Sequence, residues 1–156
     1  MKAKLLFLFL FTAALAGCKK DKYQTTPTLS LKAVTVGGIQ DAAGTIGSTI
    51  EFEIEVTDKE GDVEDSIFID KIDATLRCPG NNLIRDVYKI PDYPNESNQK
   101  VLFKVRYATI NVLGYALLGG ASCPPRKDTS YFRFIVSDKA GNKSDTLFTD
   151  PVALPF

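Results

Sequence analysis

Apolar and polar side chains alternate along three segments of the chain, the pattern of a β-strand with one face in a core. The segments are 50–56, 101–107 and 132–136. Their inward positions are Ile50, Phe52, Ile54 and Val56; Val101, Phe103, Val105 and Tyr107; and Phe132, Phe134 and Val136. We therefore expect three strands that each bury a row of aliphatic and aromatic side chains.

Weaker strand patterns occur at 29–36, 66–76, 109–116 and 143–149. In the second of these, the positions in phase with the core are Ile72, Ala74 and Leu76. No stretch carries a helical stripe with caps, and clusters of Gly, Pro, Asn and Asp separate the segments. About seven strands of this kind predict an all-β fold, an antiparallel β-sandwich, with a small lipocalin-like β-barrel as the alternative.

Part of the pattern repeats at an offset of 80 residues. Segment 52–69 aligns with 132–149, and both copies contain Phe, Val, Asp, Lys, Gly, Asp and Phe at equivalent places. The shared centre is a turn, Asp58-Lys59-Glu60-Gly61-Asp62 in the first copy and Asp138-Lys139-Ala140-Gly141-Asn142 in the second. In each turn an aspartate can cap the backbone and a glycine can take positive φ, so both are expected to reverse the chain.

These turns resemble those of bacterial immunoglobulin-like domains of the cadherin or polycystic-kidney-disease type. Such domains commonly carry an early V-x-D-x-x-G-D turn and a late V-x-D-x-A-G-N hairpin, matched here at 56–62 and 136–142. The resemblance covers about half of the chain from residue 18 onward and implies an immunoglobulin-like sandwich. It implies no single function, because such sandwiches serve adhesion, sugar binding and plain spacing alike.

The N-terminal segment has the pattern of a signal peptide. A basic start at Lys2 and Lys4 precedes a run from Leu5 to Ala16 in which only Thr12 is polar. Twelve helical residues span roughly 18 Å, which is short of the ~30 Å hydrocarbon core of a bilayer. We therefore expect this segment to be cleaved instead of remaining in the membrane.

The end of this run, Leu15-Ala16-Gly17-Cys18, resembles the lipobox of bacterial lipoproteins. The resemblance implies lipidation of the Cys18 thiol, cleavage before it and permanent attachment to a membrane. It divides the chain into a signal peptide at 1–17, a lipidated cysteine and tether at 18–28, and one domain at 29–156. Lys19 follows Cys18, at the position where an aspartate would retain a lipoprotein in the inner membrane. The segment that begins at Cys18 resembles the start of lipoproteins of the Bacteroidota. An outer-membrane lipoprotein of the cell envelope, on its periplasmic face or at the cell surface, is predicted.

Charge excludes some partners. Removing residues 1–17 takes Lys2 and Lys4 from the 19 basic side chains and none of the 19 acidic ones, so the remaining chain has a net charge of about minus two. Without a broad positive field, nucleic acid is not an expected partner. The membrane is expected to be reached through the lipid anchor.

The other two cysteines, Cys78 and Cys123, each precede a proline. An exported chain meets an oxidising compartment, so a disulfide between them is predicted, with two separate thiols as the alternative. Such a bridge would join two long irregular stretches, 77–99 and 109–128. Two thiolates without histidine leave a zinc site short of ligands.

The chain contains no histidine, which removes the usual general base near neutral pH. We therefore predict a non-enzymatic protein with no cofactor. Asp86, Asp92 and Glu96 keep open a carboxylate-dependent hydrolase as a lower-ranked alternative. The acidic turn at Asp58, Glu60 and Asp62 could offer oxygen ligands to calcium, although acidic turns also occur for solubility alone.

The irregular stretches 77–99 and 109–128 are the predicted binding loops, because loops on a rigid scaffold commonly carry function. Tyr88, Tyr93 and Tyr115 are their candidate ligand-binding residues. The leading hypothesis is a lipid-anchored envelope module that binds a protein or glycan partner through these loops. A structural spacer or assembly subunit of an envelope complex is the alternative.

Overall fold

A computed structural model describes residues 24–63, 65–74, 85–92, 94, 96–119 and 128–154. Over these ranges the chain forms β-strands and turns and no helix, so no described helix could span a membrane. The strands are β1 (Thr28–Gln40), β2 (Ile46–Asp58), β3 (Ser66–Asp73), β4 (Arg85–Lys89), β5 (Gln99–Ala108), β6 (Ala116–Leu117), β7 (Asp128–Ser137), β8 (Leu147–Phe148) and β9 (Val152–Leu154). The prediction of an all-β fold is confirmed.

The strands form two sheets. The first has the order β1-β2-β5-β6, with antiparallel pairs except for the short parallel pair of β5 and β6. The second has the order β4-β3-β7-β8, and β9 also pairs with β7. The described strands form two separate sheets instead of one closed sheet, so the alternative of a lipocalin-like barrel is wrong.

The core lies between the two sheets. Phe52 of β2 packs its ring 4.6 Å from Phe132 and 5.2 Å from Phe134 of β7, measured between ring centroids. The predicted inward rows of β2 and β7 are fully buried. Phe103 and Val105 of β5 are partly buried against the same core. The alternation of side chains therefore identified the inner face of these three strands correctly.

The predicted inward face of β3 is wrong. Ile67 and Ile69 are buried, whereas Ile72 lies on the opposite face and is half-buried. The reason is register: Ile67 lies opposite Val136 and Ile69 opposite Phe134, and residues directly opposite each other in a sheet share a face. The inward row continues with polar residues, Lys71 and Asp73, which are buried and which an apolar pattern does not reveal.

Predicted strand lengths are wrong at the edges of the sheets. In segment 109–116 only Ala116 belongs to a strand, and in 143–149 only Leu147 and Phe148 do, apart from an isolated bridge between Lys143 and Ser137. The stretch 77–99, predicted to be irregular, contains β4. These strands are two to five residues long, too short to show a period of two.

The two repeated turns form as predicted. Gly61 and Gly141 both have positive φ, 75° and 86°. The Asp58 carboxylate accepts a hydrogen bond from the Gly61 amide at 2.7 Å, and that of Asp138 accepts one from the Asn142 amide at 2.7 Å. Each aspartate thus satisfies backbone donors that the chain reversal leaves free.

Candidate functional site

A groove lies between residues of the two sheets. It lies between β4 with its following residues and the pair β5–β6, and its volume is about 560 Å³. This volume falls within the ~300–1,000 Å³ typical of sites for small ligands. The groove thus joins residues from both predicted binding loops.

The wall of the groove is apolar. Ile67 and Ile90 are buried at its base, Pro91 follows on the same side, and Phe103 and Val105 lie across from them. The Ile90 amide donates a hydrogen bond to the Asp65 carbonyl oxygen at 3.1 Å, which fixes the chain as it leaves β4. Aliphatic groups held on strands form a surface that can bury apolar parts of a partner.

Two of the three predicted tyrosines line this groove. Tyr88 projects from β4 and is 39% exposed, and Tyr115 lies half-buried just before β6. Gly114, at φ 85°, and a hydrogen bond from the Tyr115 amide to the Val112 carbonyl oxygen at 3.2 Å shape the turn that presents Tyr115. Tyr93 lies outside the described residues.

The carboxylate of Asp86 binds the hydroxyl groups of two tyrosines, one of which lines the groove. Its Oδ2 accepts a hydrogen bond from the Tyr88 hydroxyl at 3.0 Å and another from the Tyr107 hydroxyl at 2.9 Å. Tyr107 is fully buried on β5, so this carboxylate connects the two sheets. Burial, reinforced by the charge of Asp86, raises the pKa of the Tyr107 hydroxyl well above its usual range, which keeps it a neutral donor.

Removing the Tyr107 hydroxyl should therefore cost more than removing that of Tyr88. We expect Tyr107→Phe to lower the free energy of unfolding by about 1.5–2 kcal/mol, because the lost bond is buried and reaches a charged acceptor. Tyr88→Phe, at the same acceptor oxygen but partly exposed, should cost less than about 0.5 kcal/mol. Urea unfolding of both variants measures the difference, and equal losses would contradict a larger contribution from the buried bond between Tyr107 and Asp86.

Three basic residues line the groove, Lys89, Lys104 and Arg106, and the last two are paired with acids. Lys104 lies 2.6 Å from Glu53 and 3.2 Å from Glu51, and the Arg106 Nε donates to Glu51 at 2.6 Å. These hydrogen bonds raise the pKa of Lys104, chiefly through Glu53, and that of Arg106, through Glu51. Because these pairs balance charge on an exposed surface, Lys104 and Arg106 offer little net attraction to an anion.

Comparisons of the chain with models of protein families, with curated proteins and with solved structures found no match. The function is therefore inferred from the groove and from the side chains that form it.

The acidic residues predicted for calcium or hydrolysis occupy different places. Asp58 and Asp62 lie together with Asp138, whereas Glu60 of the same turn is exposed and outside this group. Asp92 and Glu96 are exposed, while Asp86 accepts the two tyrosine hydroxyls. Cys18, Cys78 and Cys123 lie outside the described residues, so lipidation and the disulfide remain predictions.

Sequence reasoning missed the aliphatic wall of the groove and the place of Asp138. The pairing of β4 with β3 brings Ile90 to the same side as Ile67, and both line the groove with residues of β5, a long-range arrangement that no local pattern encodes. Asp138 could have been found, since the offset of 80 residues places it at the position equivalent to Asp58.

Proposed function

We propose that this chain is a non-enzymatic, lipid-anchored module of the bacterial cell envelope that holds a protein partner in the groove between β4 and β6. The observation that carries the proposal is that Tyr88 and Tyr115, one from each predicted binding loop, line the same groove. These two tyrosines are far apart in sequence, yet they border the same surface of aliphatic side chains. Tyrosine is enriched in protein interfaces because its ring buries apolar area while its hydroxyl stays hydrated.

A protein segment suits this groove better than a glycan does. Recognition of a sugar needs several polar groups ready to bind hydroxyls. Of those that line the groove, Lys104 and Arg106 are engaged with glutamates and Tyr88 with Asp86, which leaves chiefly Lys89 and Tyr115. The aliphatic wall can instead receive one or two apolar side chains of a partner. The partner is then expected to present an apolar anchor flanked by polar residues.

The proposed address comes from the N-terminal sequence. The signal peptide at 1–17 and the lipobox-like Leu15-Ala16-Gly17-Cys18 support export and attachment at Cys18, and Lys19 supports the outer membrane. The repeated turns support an immunoglobulin-like assignment for the two sheets, and Cys78 with Cys123 is the proposed disulfide. Each of these features suits a small module that works outside the cytoplasm.

Photo-crosslinking in the cells that naturally produce the chain tests the binding proposal. A photoreactive amino acid is placed at position 88 or 115, and at position 148 as a control, because Phe148 is also aromatic and is 54% exposed but lies on β8. We expect one discrete protein adduct from the two groove positions and none from the control. Tyr88→Ala should reduce the adduct formed at position 115 about tenfold, as for an interface anchor.

Other outcomes would replace the proposal. Adducts that form equally at position 148 would favour the structural spacer, which contacts neighbours without a preferred surface. An adduct whose added mass resists protease and yields sugar would identify a glycan ligand. Absence of any adduct at positions 88 and 115 in cells that display the folded chain would overturn binding at this groove.

A further inference from the structure

Three carboxyl groups meet where the two repeated turns touch. Oxygen atoms of Asp58, Asp62 and Asp138 all lie within 4.8 Å of one another. Asp58 is 0% exposed and Asp138 is 1% exposed, while Asp62 is half-buried. Like charges held this close and away from water repel one another strongly, so a folded chain needs something to compensate them.

Hydrogen bonds compensate this cluster only in part. Both oxygens of Asp138 accept hydrogen bonds from Asn142, from its amide at 2.7 Å and from its side chain at 2.8 Å. Asp58 accepts from Gly61 through Oδ2, but its Oδ1 is buried without a hydrogen-bond partner, and so is Oδ1 of Asp62. Leaving a buried carboxylate oxygen without a partner is costly, so these atoms are suited to accept a water molecule or to bind a cation.

The two repeated turns differ in how the side chain of their first aspartate is compensated. Asp58 and Asp138 are equivalent, and so are Asp62 and Asn142. In the second turn the asparagine donates its side-chain amide to the aspartate, which leaves the pair satisfied. In the first turn Asp62 stands at the equivalent place, and an ionised carboxylate cannot donate a hydrogen bond. The first turn therefore has more acceptor oxygens than donors.

We propose that Asp58, Asp62 and Asp138 bind one calcium ion that joins the two repeated turns. Calcium takes six to eight oxygen ligands at about 2.3–2.6 Å, so oxygens less than 5 Å apart can share one ion. Gln99 lies opposite Asp58 in the pairing of β2 with β5, and its Oε1 is also buried without a partner, so it can supply a neutral oxygen. Water completes the coordination shell. This site is independent of the groove.

The ion would join the two sheets. Asp58 ends β2 in the first sheet and Asp138 follows β7 in the second, and the Lys139 amide donates to the Asp62 carbonyl oxygen at 2.9 Å. The turn also contacts the N-terminal segment, since the Lys59 amide donates to the Gln24 carbonyl oxygen at 3.0 Å. Calcium would therefore stabilise the end of the domain at which the chain leaves for its anchor.

Calcium titration of the full-length chain tests the proposal, with Asp62→Asn as the informative variant and Glu60→Gln as its control. Both substitutions remove one negative charge from the same turn, but Glu60 is exposed and outside the cluster. At calcium concentrations about 100-fold above Kd, we expect the melting temperature of the wild-type chain and of Glu60→Gln to rise by about 5–10 °C relative to EDTA. Magnesium should have a smaller effect, because it gives up its water reluctantly.

The melting temperature of Asp62→Asn should differ from that of the wild-type chain in opposite directions in EDTA and in calcium. In EDTA it should melt at or above the wild-type temperature, because the new amide can donate to Asp58 as Asn142 does to Asp138. In calcium it should lose most of the gain, with an affinity by calorimetry at least about tenfold weaker. A merely structural role for Asp62 would lower stability in both conditions, so this crossover distinguishes the two.

Hydrogen exchange of the wild-type chain gives a second measurement that needs no variant. Calcium should slow exchange at the amides of 59–62 and 139–142 and leave those of β4 unchanged. The proposal is overturned if calcium changes neither melting nor exchange. It is also overturned if calcium stabilises Asp62→Asn as much as the wild-type chain, since the ion would then bind elsewhere.

Discussion

Gly61→Ala is expected to lower the free energy of unfolding by about 3–5 kcal/mol, whereas Gly141→Ala should cost only about 1 kcal/mol. The two glycines are equivalent in the repeat and both have positive φ, 75° and 86°. A Cβ at Gly61 would overlap the backbone carbonyl of Glu96, while a Cβ at Gly141 would have no atom within 4 Å. Both changes carry backbone strain, but only the first also pushes two segments apart.

Urea denaturation of the two variants provides the comparison. The segment behind Gly61 cannot easily move, because the Asn98 amide donates to the Lys59 carbonyl oxygen at 2.8 Å. The difference between the variants isolates the steric contact, since backbone strain is common to both. Equal losses at the two positions would contradict the close approach of 96–98 to this turn.

Phe52→Ala is expected to cost about 3–5 kcal/mol, the usual range for a buried aromatic side chain reduced to a methyl group. Phe52 contacts Phe132 and Phe134, so its removal leaves a cavity between the sheets and ends both aromatic contacts. Phe148→Ala is the matched control, because that ring is 54% exposed on β8. The control should change stability by less than about 1 kcal/mol.

Equilibrium denaturation of both phenylalanine variants distinguishes a shared core from two sheets that are stable separately. If the sheets share one core, Phe52→Ala shifts the whole unfolding transition to lower denaturant. A transition that splits into two steps, or a loss no larger than that of Phe148→Ala, would contradict the packing of β2 against β7.

The parts of the fold that could be predicted from sequence are the long inner strands. β2, β5 and β7 are 13, 10 and 10 residues long, so enough side chains alternate between core and exterior to show the period of two. β3 also lies inside its sheet, but half of its inward row is Lys71 and Asp73, so hydropathy misplaced its face. Two-residue strands such as β6 and β8 carry no periodic signal, because their pairing is decided by neighbours distant in sequence.

The candidate sites were predictable where one residue type carries the chemistry. Tyr88 and Tyr115 were predicted as ligand-binding residues in the irregular stretches, and the structure brings them to one groove. The acidic turn was identified from composition, which cannot distinguish exposed Glu60 from buried Asp58. Which side chain of the turn is buried depends on how the first turn packs against the second turn and its Asp138. This packing cannot be derived from the composition of the first turn alone.

The bond between Lys59 and Gln24 has a consequence for how an anchored chain would be oriented. It places the start of the described chain beside Gln99, the first residue of β5, while Tyr115 lies just before Ala116, which pairs with Tyr107 near the other end of that strand. At ~3.3 Å per residue, the Tyr115 rim is then roughly 26 Å farther along the domain. If Cys18 carries lipid, we expect the Tyr115 side of the groove to lie farther from the membrane than the two repeated turns.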